Sequence, residues 1–138
     1  MKLLVASVFA LSMAFSSTVF ACPDKDETRQ TAATNISVDE AATLAQKGDV
    51  IMIDANSDKT RKKLGVVPGA RLLTSYKNFD EKELGAKKSD TLVFYCHSES
   101  CGAAPAAAKL AKKQGYTVRV MDAGIVGWKK AGHAVKKV

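Results

Sequence analysis

Cys96 and Cys101 bracket the stretch richest in reactive groups, Cys96-His97-Ser98-Glu99-Ser100-Cys101-Gly102. It holds two thiols, an imidazole, two hydroxyls and a carboxylate. An apolar, β-prone run, Thr91 to Tyr95, delivers Cys96, and an alanine-rich helical pattern follows the loop until Gly115 stops it. A cysteine at the end of a buried strand, just before a helix, meets converging backbone N–H groups and the positive end of the helix dipole. Both effects lower a thiol's pKa and favour the thiolate, the nucleophilic form. The spacing therefore predicts a reactive-cysteine cradle, with Cys96 as nucleophile and its sulfur kept from full burial by the polar loop. His97, Ser98, Glu99, Ser100, Cys101 and Gly102 are the candidate substrate-binding residues.

Each residue also has a plainer reading. Cys96 can be a small hydrophobe buried at a strand end. Cys101 can be an inert residue of the first helical turn. It can also be a resolving thiol that attacks a persulfide or sulfenic acid on Cys96, or a metal ligand with Cys96 and His97. Three soft ligands fall short of a closed zinc shell, and inward N–H groups suit anions, so no metal is assigned, although copper stays open. His97 is expected to line the loop exterior rather than act as a base. Asp54 is expected to organise loop hydrogen bonds, Trp128 to pack, and His133 to be structural or solvated.

The surrounding elements must position these groups. Ser37-Val38-Asp39-Glu40 is a capping box, with Glu40 able to reach back to Ser37 N–H. It predicts a helix from Val38 to about Lys47 that buries Val38, Ala41, Ala42, Leu44 and Ala45 and ends at Gly48. Val50 to Ile53 is a continuous apolar run, as expected of a strand covered on both faces, and it ends at Asp54. Lys59 to Leu64 reads as a short helix, Ala70 to Leu73 as a short strand, and Asp80 to Leu84 as one or two helical turns. After the loop, Ala103, Ala106, Ala107, Leu110 and Ala111 share a face opposite Lys109, Lys112 and Lys113. Pro105 falls within the first turn, where its missing N–H costs little. Val118 to Met121 reads as a last strand, followed by a glycine-rich loop. Alternating strands and helices imply a parallel α/β sheet with right-handed crossovers. Asp54, Cys96 and Asp122 then stand at carboxyl ends of strands, where such sheets bind ligands.

The 138-residue chain begins with Lys2, an apolar run from Leu3 to about Phe15, and Val19-Phe20-Ala21. This is the pattern of a secretory signal peptide, residues 1–21, and the expected location is an exported one, the bacterial periplasm. Removing 21 of 138 residues leaves 117, one ordinary domain, and takes the formal net charge from +7 to +6. Val19-Phe20-Ala21-Cys22 also loosely matches a lipoprotein signal, so a membrane anchor through Cys22 and a soluble N-terminus both stay open. Residues 22–33 are polar, lack apolar periodicity and read as a flexible lead-in, which leaves 34–138 as the domain. The lysines are dispersed and little interleaved with aromatics, which argues against a nucleic-acid surface. Three cysteines in a 46% apolar chain do not make a disulfide scaffold.

Over about residues 34 to 135 the sequence resembles the rhodanese-like domain family. ISVDEAATLA leading into VIMIDAN resembles the family's first helix and its strand ending in Asp. VVPGA resembles its proline-glycine-alanine turn. YC with a short loop and an alanine-rich helix resembles its active-site segment, and MDAGIVGWKKAGHAV its closing segment. The resemblance implies a three-layer α/β sandwich around a parallel sheet of about five strands, and a single-domain sulfurtransferase without a cofactor. In that family the loop cysteine, matched by Cys96, takes sulfane sulfur from a donor such as thiosulfate and carries it as a persulfide. It then passes the sulfur to a thiol or cyanide acceptor; polysulfide or persulfide donors are further expected partners. The short loop resembles sulfurtransferase members rather than the phosphatase relatives. The family's loop arginine is replaced by Cys101, its loop glycine by Glu99, and its usual closing-segment glycine by Ala123. Asp54-Ala55-Asn56 lacks the arginine that usually follows the strand-ending Asp, and Leu64-Gly65 stands where a histidine is common. A site carrying Glu99 and no loop arginine is poorly equipped for an anion such as thiosulfate.

Overall fold

The computed structural model describes residues 33–138; the leader pattern, Cys22 and the rest of the expected lead-in up to residue 32 lie outside the described residues. Ten elements alternate along the chain. They are β1 (Thr34–Asn35), α1 (Val38–Lys47), β2 (Val50–Asp54), α2 (Asp58–Leu64), β3 (Arg71–Leu72), α3 (Glu81–Leu84), β4 (Thr91–Tyr95), α4 (Ala103–Lys113), β5 (Thr117–Met121) and α5 (Gly124–Lys130). The strands form one sheet in the order β1-β5-β4-β2-β3, and every pairing is parallel. β4 is central, in register with β2 from Val50↔Thr91 to Asp54↔Tyr95 and with β5 from Thr91↔Thr117 to Tyr95↔Met121.

Side chains of β4 alternate between two apolar layers, as a strand covered on both faces requires. Leu92, Phe94 and Cys96 enter the layer that holds α4 and α3, with Ile53, Leu84, Ala104, Ala107, Ala108, Ala111 and Val120. Val93 and Tyr95 enter the layer that holds α1 and α5, with Met52, Ala41, Met121, Ile125 and Trp128. The cysteine at the strand end is therefore aimed beneath α4.

Capping fixes α1 as the sequence suggests. Ser37 Oγ accepts Glu40 N–H at 3.2 Å, and Gly48 closes the helix at φ 77°. The Glu40 carboxylate does not turn back, however; Arg119 Nη1 of β5 donates to it at 2.6 Å. A charged partner across the sheet edge displaces the weaker backbone contact. On α4 the buried stripe is Ala104, Ala107, Ala108 and Ala111, while Ala106, expected inward, is exposed. Two elements escape sequence patterning. β1 is too short to show a period. α5, expected as a loop, is a helix despite Gly124 and Gly127, because its first turn docks on the loop after β4. Ala33, assigned by sequence to the lead-in, packs against the α4-side core.

Candidate active site: a thiol pair at the end of β4

In this strand order the chain reverses between β2 and β4, and the crevice at such a reversal is where open α/β sheets bind ligands. The loops after β2 and β4 meet there. Cys96 ends β4 at only 2% exposure, and both it and the half-buried Cys101 are free thiols. Cys96 Sγ donates to the Cys101 carbonyl at 3.2 Å. The incomplete burial expected from the polar loop is thus corrected: the Cys96 thiol is walled in by α4 and faces an acceptor.

Backbone N–H groups of His97, Ala103 and Ala104 pull on the two sulfurs, but burial treats the thiols unequally. Burial, reinforced by the neighbouring Cys101 thiol, pushes the Cys96 thiol up to about 12, against the pull of the Ala104 and His97 N–H groups. For Cys101, burial acts in the same upward direction but is outweighed. The neighbouring Cys96 thiol and the N–H groups of His97 and Ala103 hold it below the ordinary thiol value. Desolvation decides the first case and donated hydrogen bonds the second. Since only the thiolate is alkylated, a pH series of differential alkylation read by peptide mass should show Cys101 labelling with a midpoint below that of a free cysteine. Cys96 should stay unlabelled until strongly alkaline pH. Coincident profiles would contradict the asymmetry.

α5 orients the peptide that makes this cradle. Ile125 N–H donates to the Cys96 carbonyl at 2.8 Å and Val126 N–H to the His97 carbonyl at 3.1 Å. With both carbonyls drawn toward α5, the His97 N–H is free to serve the sulfurs. α5 has no side-chain N-cap, so these loop carbonyls satisfy amides its first turn would otherwise leave open. Gly124 sits at φ 59°, where a Cβ would come within 2.6 Å of the Cys96 and His97 backbone. Cys101 N–H returns to the Ser98 carbonyl at 2.9 Å and closes the loop as a tight turn.

The candidate substrate-binding residues divide between two sides of that turn. His97 and Cys101 line a cleft of about 340 Å³ with residues of the β2 and β3 loops. Ser98, Glu99 and Ser100 line a separate cleft of about 400 Å³ against α5, with Lys130. Gly102, exposed, precedes α4 and lines neither. His97 is exposed and its Nδ1 pairs with Ser98 Oγ at 3.0 Å. His133 stacks on Trp128 at 4.8 Å and meets Asp39 at 3.0 Å, far along the chain from the loop.

Asp54 does organise the β2 loop, through a partner that sequence reading missed. Its Oδ1 accepts Asn56 N–H at 2.7 Å and Arg61 Nε at 3.2 Å. Arg61, 5% exposed, also donates to the Asp54 carbonyl at 3.1 Å, the Leu73 carbonyl at 2.8 Å and Asp58 Oδ1 at 3.0 Å. The guanidinium missing next to Asp54 in sequence is supplied from α2, one turn after the Ser57 cap. That cap was the available signal, since it fixes which residues of α2 point back toward the strand end. Tyr95 belongs to the same buried group: its hydroxyl accepts Val67 N–H at 3.0 Å, and burial, then the Asp54 charge, raise its ionisation far above the usual range.

A model of the rhodanese-like domain matches residues 37–131. Solved structures with the same fold include a Bacillus halodurans protein, 20% identical, with TM-score 0.67 over 76% of this chain and 77% of that one. A rhodanese-related protein from Thermoplasma volcanium is 14% identical, with TM-score 0.62 over 75% of this chain and 97% of that one. A Rhodopseudomonas palustris protein described as a possible tyrosine phosphatase is 23% identical, with TM-score 0.61 over 75% and 85%. No curated protein matches the chain significantly. Fold and matched segment together make the chain a member of the rhodanese-like domain family.

Proposed function

We propose that the protein is a sulfurtransferase of this family whose carrier is a sulfur of the Cys96/Cys101 pair. The observation that supports the reading best is the pair of adjacent free thiols, Cys96 Sγ lying 3.2 Å from the Cys101 carbonyl, at the carboxyl end of the central strand. In the reaction a thiolate bonds to the outer sulfur of a donor, and the donor's S–S bond breaks with its electron pair leaving on the remainder. The resulting persulfide then yields that sulfur to an acceptor thiolate, which regenerates the cysteine. Sequence assigns the carrier role to Cys96, which must first release the Cys101 carbonyl before it can attack. Loop residues 97–102 include no lysine or arginine, and Glu99 adds negative charge. Polysulfides and persulfides, whose charge sits on weakly hydrated sulfur, therefore fit better than thiosulfate with its strongly hydrated sulfonate oxygens.

Intact mass after incubation with polysulfide tests the reading. The wild-type chain should gain sulfur or convert to the disulfide, and the double variant Cys96→Ser/Cys101→Ser should do neither. Identical masses for the two proteins would overturn sulfur transfer. The contact between the two thiols favours a second reading, a thiol redox protein that cycles between the dithiol and a Cys96–Cys101 disulfide. Oxidation of the wild type, with no sulfur retained by either Cys96→Ser or Cys101→Ser, would select it. Export, which the leader pattern implies, would place the pair in an oxidising compartment.

A further inference from the structure

Building on sulfur transfer at the thiol pair, we propose that Cys101, not Cys96, is the thiol that meets the donor, and that Cys96 is its buried resolving partner. Three observations place Cys101 at the entrance. It lines the cleft at the β2–β4 reversal together with Asn56, Ser57, Thr60, Thr74 and Tyr76, and Cys96 does not. Cys101 is half-buried while Cys96 is closed at 2% exposure. The Cys96 thiol spends its proton on the Cys101 carbonyl, an arrangement that holds it protonated. The lowered ionisation of Cys101, set by the Cys96 thiol and two amides, agrees with this placement.

The cleft also carries a polar group in want of a partner. Asn56 is 7% exposed and its Nδ2 has no hydrogen-bond partner. Among the described residues lining the cleft, none is Lys, Arg, Asp or Glu. Hydroxyls, an amide and the His97 imidazole thus surround the entry sulfur, which suits a small donor whose charge is spread over sulfur, such as a polysulfide chain.

Cys101 thiolate bonds to the terminal sulfur of the polysulfide, whose S–S bond breaks and leaves a shortened sulfide anion. Cys96 sulfur then attacks the inner sulfur of the Cys101 persulfide. The Cys96–Cys101 bond forms, and the persulfide S–S bond breaks. The departing hydrosulfide carries the electron pair and takes the Cys96 proton. Two equivalents of a small external thiol reduce the disulfide and are themselves oxidised to a disulfide, which restores the pair.

Inorganic polysulfide and the full chain, as wild type, Cys96→Ser and Cys101→Ser, test the assignment by non-reducing intact mass and peptide mapping. Cys96→Ser should retain an added sulfur on the Cys101 peptide. Cys101→Ser should acquire it roughly tenfold more slowly or not at all. Wild type should lose two hydrogens and release hydrosulfide. Sulfur uptake by Cys101→Ser at the rate of Cys96→Ser, or faster, would overturn the assignment while leaving sulfur transfer standing. Absence of any change in all three proteins would remove both. Iodoacetamide labelling of untreated wild type gives a reading free of any variant's folding: the Cys101 peptide should label first, and Cys96 labelling first would also overturn the proposal.

Discussion

Replacing Arg61 by alanine should destabilise the protein by about 3–5 kcal/mol, the usual cost of stranding one member of a buried ion pair. Asp54 is fully buried, and Arg61 Nε is the cation on its Oδ1. The same guanidinium ties the ends of β2 and β3 together through the Asp54 and Leu73 carbonyls. Alanine would leave the Asp54 carboxylate with the Asn56 N–H but no cation, and would take the guanidinium donor from the Leu73 carbonyl, in a site sealed from water. Whole-domain stabilities run to about 5–15 kcal/mol, so the change would consume a large share. Arg61→Lys should recover little, because an ammonium cannot reproduce the planar fork that reaches four acceptors. Chemical denaturation provides the measurement, as a fall in midpoint at constant slope. A loss below about 1 kcal/mol, typical of exposed pairs, would show that the pair is not load-sharing in the way its burial implies.

Gly124→Ala should be nearly as damaging, and its effect should reach the thiols. The backbone there is left-handed, which costs an L-residue about 1–2 kcal/mol, and the new Cβ would lie 2.6 Å from the Cys96 and His97 carbonyl oxygens. Backbone atoms cannot swing aside as a side-chain tip can, so α5 must withdraw. Its hydrogen bonds to the Cys96 and His97 carbonyls then lengthen. The expected result is a loss of roughly 2–4 kcal/mol, combining a strained residue with the weakened bonds. Cys96 should also alkylate faster, since the peptide that encloses it is released. Unchanged stability together with unchanged labelling would sink the argument.

Much of the frame was readable in the chain because it rests on local rules. The Ser37 cap, the Gly48 stop and the apolar run before Asp54 fixed α1 and β2. The strand Thr91–Tyr95 matched its expectation residue for residue. What eluded reading depends on contacts between distant segments. Arg61 lies seven residues from Asp54 along the chain, and only the packing of α2 against β2 brings them together. α5 owes its helix to the loop carbonyls that cap it, which no window of its own sequence contains. The Cys96 site shows the same limit most sharply. Strand end, loop and helix start were all anticipated, and so were the converging amides. Whether those amides or the apolar wall governs the sulfur is a matter of degree of burial, and spacing does not report that.

The two rims of the sheet, β1 and β3, are each only two residues long. Among the described residues, then, neither flank presents a row of open backbone groups on which an incoming extended polypeptide could align. Self-association by edge-to-edge growth is correspondingly starved of a template. Pairing along a strand is thereby closed to other polypeptides, and the ends of the strands, where the two thiols lie, stay open to contact.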